Sequence, residues 1–214
     1  MISEYSMTSI RERNRQLILD SAAAEFAETG FAATKIQDVA ARAAVPKSNV
    51  FYYFLSKEDL YCQVLLSVVE PSLEASALLR EEDDDPQEAL AAFIRAKLRI
   101  NQDMPRAAKV FASEMLLGAP RLPRHSLEQL NAETRRHILC LQGWMARGLL
   151  APVAVQHLLL TLWASTQAQA CFDWQTSRIT GKDEPDARDF DAAAETITRL
   201  VVQGTAPTHA GMLV

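Results

Sequence analysis

Apolar residues along this chain recur at intervals of three and four, as at Ile18, Ala22 and Phe26, or at Phe93, the Lys97 stem and Ile100. Alternation of apolar and polar residues never lasts, so no segment reads as a half-buried strand, and the chain is expected to be all-α. Its helix ends are punctuated. A first helix from about Arg11 to Glu28 should stop at Gly30, a residue that accepts the left-handed C-cap conformation. Thr34 with Gln37 three residues later predicts a capping box opening a short second helix to about Ala43. Pro46 in a first-turn position opens a third, and Ser56 with Asp59 caps a fourth that runs into the seventies. In "EEDDDPQEAL", Asp85 is the expected N-cap, Pro86 the first helical residue and Glu88 the third, with the acidic run before them read as a solvated linker. Further helices are expected near 86–102, 105–117, 124–148, 152–180 and 187–203, separated by Pro and Gly clusters. The total is about nine, three short ones forming a head and the rest a larger body, with domains at 1–57 and 58–214.

Composition narrows the function classes. With 214 residues, 49% of them hydrophobic, the chain can bury a sizeable core. No run approaches about eighteen apolar residues, and the start "MISEYSMTSIRERNRQ" has no apolar signal core, so a cytoplasmic protein without a membrane partner is expected. Cys62, Cys140 and Cys171 lie far apart with no C-x-x-C, which encodes neither a disulfide framework nor a zinc site. His125, His137, His157 and His209 show no metal-ligand spacing, and Gly143 to Gly148 is followed by Leu-Leu instead of the Lys-Ser/Thr of a phosphate loop. No catalytic set, metal or cofactor can be nominated, and the expectation is a protein that is not an enzyme. The net charge of −5 argues against coating nucleic acid by bulk charge. Residues 35–57 are the exception: Lys35, Arg42, Lys47 and Lys57 face a single acid, Asp38.

That basic segment contains two short predicted helices joined by "AAVP", the size and spacing of a helix-turn-helix. At the start of the second, Lys47, Ser48 and Asn49 are candidates for base edges, since Lys can donate to guanine, Asn can pair with adenine and Ser suits either. Tyr52, Tyr53, Lys57 and the Thr34 end of the preceding helix are candidates for phosphate. Val50, Phe51 and Phe54 are read as core. Double-stranded DNA is the expected partner.

"TKIQDVAARAAVPKSNVFYYFLSKEDLY", preceded by "ILDSAAAEFAETGF", resembles the DNA-binding head of the TetR family of bacterial transcriptional regulators over about residues 12–61. The resemblance implies that the helix 3 tyrosines and the lysine opening helix 4 hold phosphates, here Tyr52, Tyr53 and Lys57. The turn departs from the usual Gly-Val-Ser, reading Ala44-Val45-Pro46. If Ala44 takes a positive φ, it is strained by about 1 kcal/mol.

In the body, helices 152–180 and 187–203 carry small residues (Ala164, Ala168, Cys171; Ala193, Ala194, Gly204) beside Leu158, Leu162, Ile197, Leu200 and Val201. Such faces pack closely, and a two-fold four-helix interface is expected, giving a homodimer whose heads reach half-sites one DNA turn apart, roughly 34 Å. "FASEMLLGAP", "LQGWMARGLLAPVAVQHLLLTLWASTQAQACF" and "ITG" resemble the C-terminal domain of the pyrimidine-utilisation repressor subgroup within that family. The resemblance implies an effector pocket faced by Trp163 and Gln167, walled by Phe111, Glu114 and Met115, with Asp173 and Trp174 near its mouth. Ser72 stands where a pocket tryptophan is expected. A pyrimidine or related heterocycle is the candidate effector, and a repressor released from a palindromic operator by a small molecule is the expected function. The alternative is a redox-responsive DNA-binding regulator sensing through Cys140 or Cys171.

Overall fold

The structure, a computed structural model, describes residues 4–207, with side chains from Ile10 onward. The outermost ends of the two expected domains, at 1–3 and 208–214, lie outside the described residues. Ten helices and no strand occur among them: α1 (Glu4–Ala33), α2 (Ile36–Arg42), α3 (Lys47–Tyr53), α4 (Lys57–Ser76), α5 (Pro86–Asp103), α6 (Pro105–Leu116), α7 (Arg124–Ala146), α8 (Val155–Cys171), α9 (Asp173–Thr180) and α10 (Ala187–Thr205). The tenth arises where one helix was expected over 152–180. Phe172, at φ −112° and ψ 47°, leaves the helical region and separates α8 from α9.

Local chemistry sets most boundaries. Gly30 takes φ 77° and interrupts α1, which resumes for a last turn to Ala33. That extra turn changes the role of Thr34. Its hydroxyl donates to the Gly30 carbonyl at 2.8 Å, and Lys35 is the N-cap of α2, with no side-chain cap, so the expected Thr34–Gln37 capping box does not form. Ser56 does cap α4, accepting from the Asp59 amide at 3.1 Å, while the Asp59 carboxylate accepts from Leu55 N at 2.8 Å. Asp85 accepts from the amides of Gln87 and Glu88, both at 3.1 Å.

The turn between α2 and α3 confirms the strain that its sequence implied. Ala44 has φ 53°, and Val45 N donates to Ala40 O at 3.0 Å, closing the loop that ends α2 in a left-handed cap. Pro46, at φ −59°, needs no distortion to precede α3.

The chain divides into two compact units. One holds the residues through Val69 together with Met104–Ser126, and the other holds Glu70–Asp103 and the residues from Leu127 on. In the first, α1 packs on α2 and α6, and α2 on α3, around Ile18, Phe26, Val39, Val50, Phe54, Leu60 and Val64. In the second, α5 packs on α8 and α10 around Leu90, Ile94, Leu98, Leu141, Trp144, Leu162 and Phe190. The acidic linker is more than a solvated run. Trp144 Nε1 donates to Asp83 O at 3.1 Å, and Arg147 grips the Asp84 carboxylate at 3.0 Å and the Glu81 carbonyl at 2.8 Å, which ties the linker to the end of α7.

Replacing Ala44 with glycine removes the Cβ from a left-handed position, and about 1 kcal/mol of stabilisation is expected. In a chain this long that is a rise in Tm of about 2–4 °C, measured by calorimetry.

Candidate nucleic-acid interface and ligand-facing residues

α3 is divided by its own periodicity. Val50 and Phe54, four residues apart, are 1% and 2% exposed and anchor the helix. Phe51, expected in the core, is 46% exposed. It lies four residues after Lys47 and so shares the outward face, with the Lys47 ammonium 5.8 Å from its ring centroid. Lys47, Ser48 and Asn49 are all exposed in the first turn. Tyr52 is exposed and Tyr53 half-buried, the two rings edge to face at 4.9 Å. Arg11 of α1, which sequence reasoning did not single out, places its guanidinium 5.7 Å from the Tyr52 ring.

Other expected DNA contacts are committed internally. Thr34 is buried, its hydroxyl donated to Gly30 O and its amide to the same carbonyl at 3.2 Å. It therefore offers no spare donor, and the phosphate contact expected of it gives way to an internal bond. Lys57 donates to the carbonyls of Phe31 (2.8 Å), Thr34 (3.0 Å) and Ala32 (3.3 Å), which uses all three of its protons. A phosphate contact by Lys57 would have to displace one of them. Arg42 is bound to Glu25 at 2.7 Å and to Glu28 at 2.6 Å, and its hydrogen bond holds the Glu28 carboxyl below the ordinary range. Of the basic groups in 35–57, Lys35 and Lys47 alone keep ammonium groups engaged by neither a carboxylate nor a backbone carbonyl among the described residues.

Within the first unit, Glu114 is fully enclosed. Its carboxyl accepts from Tyr61 Oη at 2.9 Å and from Arg121 N at 2.5 Å, with the Arg121 guanidinium at 4.0 Å. Burial, and after it the bond to Glu114, pushes the Tyr61 phenol well above its usual range. The Phe31 ring stands edge-on to Tyr61 at 4.9 Å and carries the Arg121 and Lys57 cations at 4.2 and 4.5 Å. Glu114, expected as a pocket wall, is thus an internal bridge with both oxygens engaged. Phe111 is buried and Met115 half-buried on the same helix.

In the second unit, Trp163 and Gln167 are half-buried on one face of α8. Between them, the Thr166 carbonyl accepts from Asn101 Nδ2 of α5 at 2.6 Å. Asp173 and Trp174 are exposed on α9, where the Arg178 guanidinium lies 5.5 Å from the indole.

Residues 18–64 match the sequence model of the bacterial regulatory proteins of the tetR family, and residues 65–208 match that of the YcdC-like protein C-terminal region. The chain belongs to the TetR family. It is 36% identical over 193 residues to the HTH-type transcriptional regulator RutR of Escherichia coli strain K12, covering 90% of this chain and 91% of that one. It is 26% identical over 174 residues to the HTH-type transcriptional repressor NicS of Pseudomonas putida, 79% of each chain. Solved structures share the fold. The ketosteroid transcriptional regulator KstR2 of Mycobacterium tuberculosis aligns with a TM-score of 0.74 at 18% identity, covering 90% of this chain and 94% of that one. PfmR of Thermus thermophilus aligns with a TM-score of 0.63 at 20% identity, covering 87% and 97%.

As a TetR-family member the protein is a ligand-responsive DNA-binding transcriptional regulator and not an enzyme. Nothing among the described residues favours redox sensing. Burial pushes the Cys140 thiol up to about 12 and raises that of Cys62, which leaves both as poor nucleophiles.

Tyr61→Phe should leave the enclosed Glu114 oxygen without its phenol donor. Urea unfolding is expected to show a loss of about 1.5–3 kcal/mol, the usual worth of a hydrogen bond to a charged group.

Proposed function

We propose that the protein is a homodimeric repressor, acting in the cytoplasm and released from a palindromic operator by a small-molecule effector. The observation that carries this reading is α3. It turns Lys47, Ser48 and Asn49 outward in its first turn while Val50 and Phe54 fix it from beneath. Those three residue types can donate to guanine, adenine and phosphate, and Tyr52 adds a hydroxyl at the flank. Residues 1–57 then serve as the DNA-reading part and 58–214 as the part that binds effector and partner.

The outward faces of α8 and α10 support the dimer. α8 holds no Asp, Glu, Lys or Arg, and it exposes Leu160 and Ala164. On α10, Ala192, Thr196, Leu200 and Gly204 are four residues apart and all exposed, an uncharged stripe along a helix that is otherwise charged on its surface. Ala193, Ala194 and Ile197, expected at the interface, pack instead on the core of their own unit. The stripe beside them is the surface that needs a partner.

For the effector, Trp163 and Gln167 supply a stacking ring and an amide that both donates and accepts, which suits a flat heterocycle of the pyrimidine kind. The similarity to RutR supports an effector of this class. Binding that favours a helix arrangement with the wrong half-site separation would release DNA. The coupling required is about 1–3 kcal/mol. α4, continuous from Lys57 to Ser76 and contributing residues to both units, is the element that can transmit it.

Lys47→Ala is expected to weaken binding to every sequence and to lower the log–log salt slope by about one, whereas Asn49→Ala should relax sequence preference with little change in slope. Fluorescence anisotropy on operator and scrambled duplexes separates the two. Leu200→Glu should give monomers in analytical ultracentrifugation and lose operator affinity. Trp163→Ala should keep operator binding and lose the response to effector in gel shifts; loss of both would reduce Trp163 to a packing residue.

A further inference from the structure

The second unit contains a cluster of polar groups that its fold leaves unanswered. Lys97, in the middle of α5, makes no hydrogen bond or ion pair with any described residue. Desolvation lowers its pKa to about 8, so it remains charged at neutral pH. Phe93, one turn earlier on the same face, meets the His137 ring edge-on at 5.5 Å. His137 is buried, and its Nε2 lies 3.1 Å from the Ser76 carbonyl. A carbonyl only accepts, so Nε2 carries the proton. Burial first, with the nearby charges of Arg136 and Lys97 adding to it, keeps the imidazole below its usual pKa and hence neutral at pH 7. Its Nδ1 is then a bare lone pair, buried and without a partner. Ser72, one turn before Ser76 on α4, is buried with its hydroxyl unpartnered as well.

These groups differ in what they lack. Nδ1 of His137 lacks a donor, the Ser72 hydroxyl can take either role, and Lys97 lacks an anion. Glu133, one turn before His137 on α7, is the nearby acid; one oxygen is paired with Arg136 and the other is buried without a donor. Its charge is thus already answered, and that of Lys97 is not. Asn101, one turn beyond Lys97, ties this face of α5 to Thr166, between Trp163 and Gln167. Lys97 is half-buried, and a cation held there without a counter-ion, beside the buried unpartnered Nδ1 of His137 and hydroxyl of Ser72, is placed to meet a negative charge that a ligand brings.

We propose that the effector is a small planar heterocycle bearing a carboxylate, with the carboxylate paired to Lys97 and a ring N–H donated to His137 Nδ1. This rests on the effector reading given above and narrows it from neutral pyrimidine-like rings to their acids. An ion pair made in such a site is short and little screened, which separates an acid from its neutral parent more sharply than stacking does.

The test is calorimetric titration of the full chain, without DNA, using uracil and its 6-carboxylate, benzamide and benzoate, and acetate alone. The 6-carboxylate is expected to bind at least tenfold tighter than uracil, with acetate too weak to detect. Lys97→Met should abolish that preference while changing uracil affinity less than twofold, and Lys97→Arg should restore part of it. The Met variant should melt no lower than the parent, because a half-buried charge without a counter-ion has been removed; a lower melt is covered by the Arg variant. Uracil binding as well as or better than its acid, no binding of either acid, acetate binding as well as the ring acids, or a Met variant that keeps the preference would each overturn the proposal. Gel shifts on the operator fail or succeed separately, since a chain that never binds DNA loses the repressor reading while the calorimetry still decides the role of Lys97.

Discussion

A seven-residue helix has too few internal hydrogen bonds to persist by itself in water. Everything α3 presents outward is therefore placed by what holds it inward. Val50 and Phe54 supply the burial, each worth about 1.5–3 kcal/mol when fully removed from water. At its start the strained Ala44 turn fixes the angle from α2, and just beyond its end the Ser56–Asp59 cap starts α4. Lys57 then fastens that start to the last carbonyls of α1. The exposed face of α3 is a by-product of these restraints, which is why a helix so short can hold three polar side chains in a fixed order.

The same economy shapes the charge of the head. Arg42 and Lys57, half of the basic groups that make its sequence look DNA-seeking, are consumed by internal partners. The positive groups that remain include Lys47 on α3 itself, Lys35 at the start of α2 and the exposed Arg11, whose guanidinium lies over the Tyr52 ring. Recognition by such a surface leans on hydroxyl and amide donors placed by the fold as much as on charge, in keeping with a chain whose overall balance is −5.

Much of the fold was legible because helix ends are written locally. Ser56 and Asp85 cap as their spacing predicts, and Ala44 takes the positive φ that was the condition for strain there. Where two local partners compete, sequence alone did not choose. The sequence offered Thr34 both a cap on α2 and a bond back to the Gly30 carbonyl, and it makes the second. The break at Phe172 carries no Gly or Pro to announce it. Phe51 was misplaced because apolar character outweighed phase, although its position four residues after Lys47 already put it on the outer face. The Tyr61–Glu114 bond joins residues 53 apart, and the polar cluster around His137 joins three helices; both depend on packing that no local window contains.

The uncharged outer faces of α8 and α10 carry a consequence for how the molecule behaves as ionic strength changes. Contacts with phosphate release bound counter-ions and weaken steeply in salt, whereas apolar association is indifferent to it or strengthened. In the proposed dimer, joined through Leu160, Ala164 and Leu200 and meeting DNA through Lys47, these two dependences are separate. Salt would strip such a dimer from the duplex as an intact pair, with both reading heads still tethered to one another. Rebinding then requires a single encounter instead of two, and the speed of return to the operator is set by the concentration of pairs already formed.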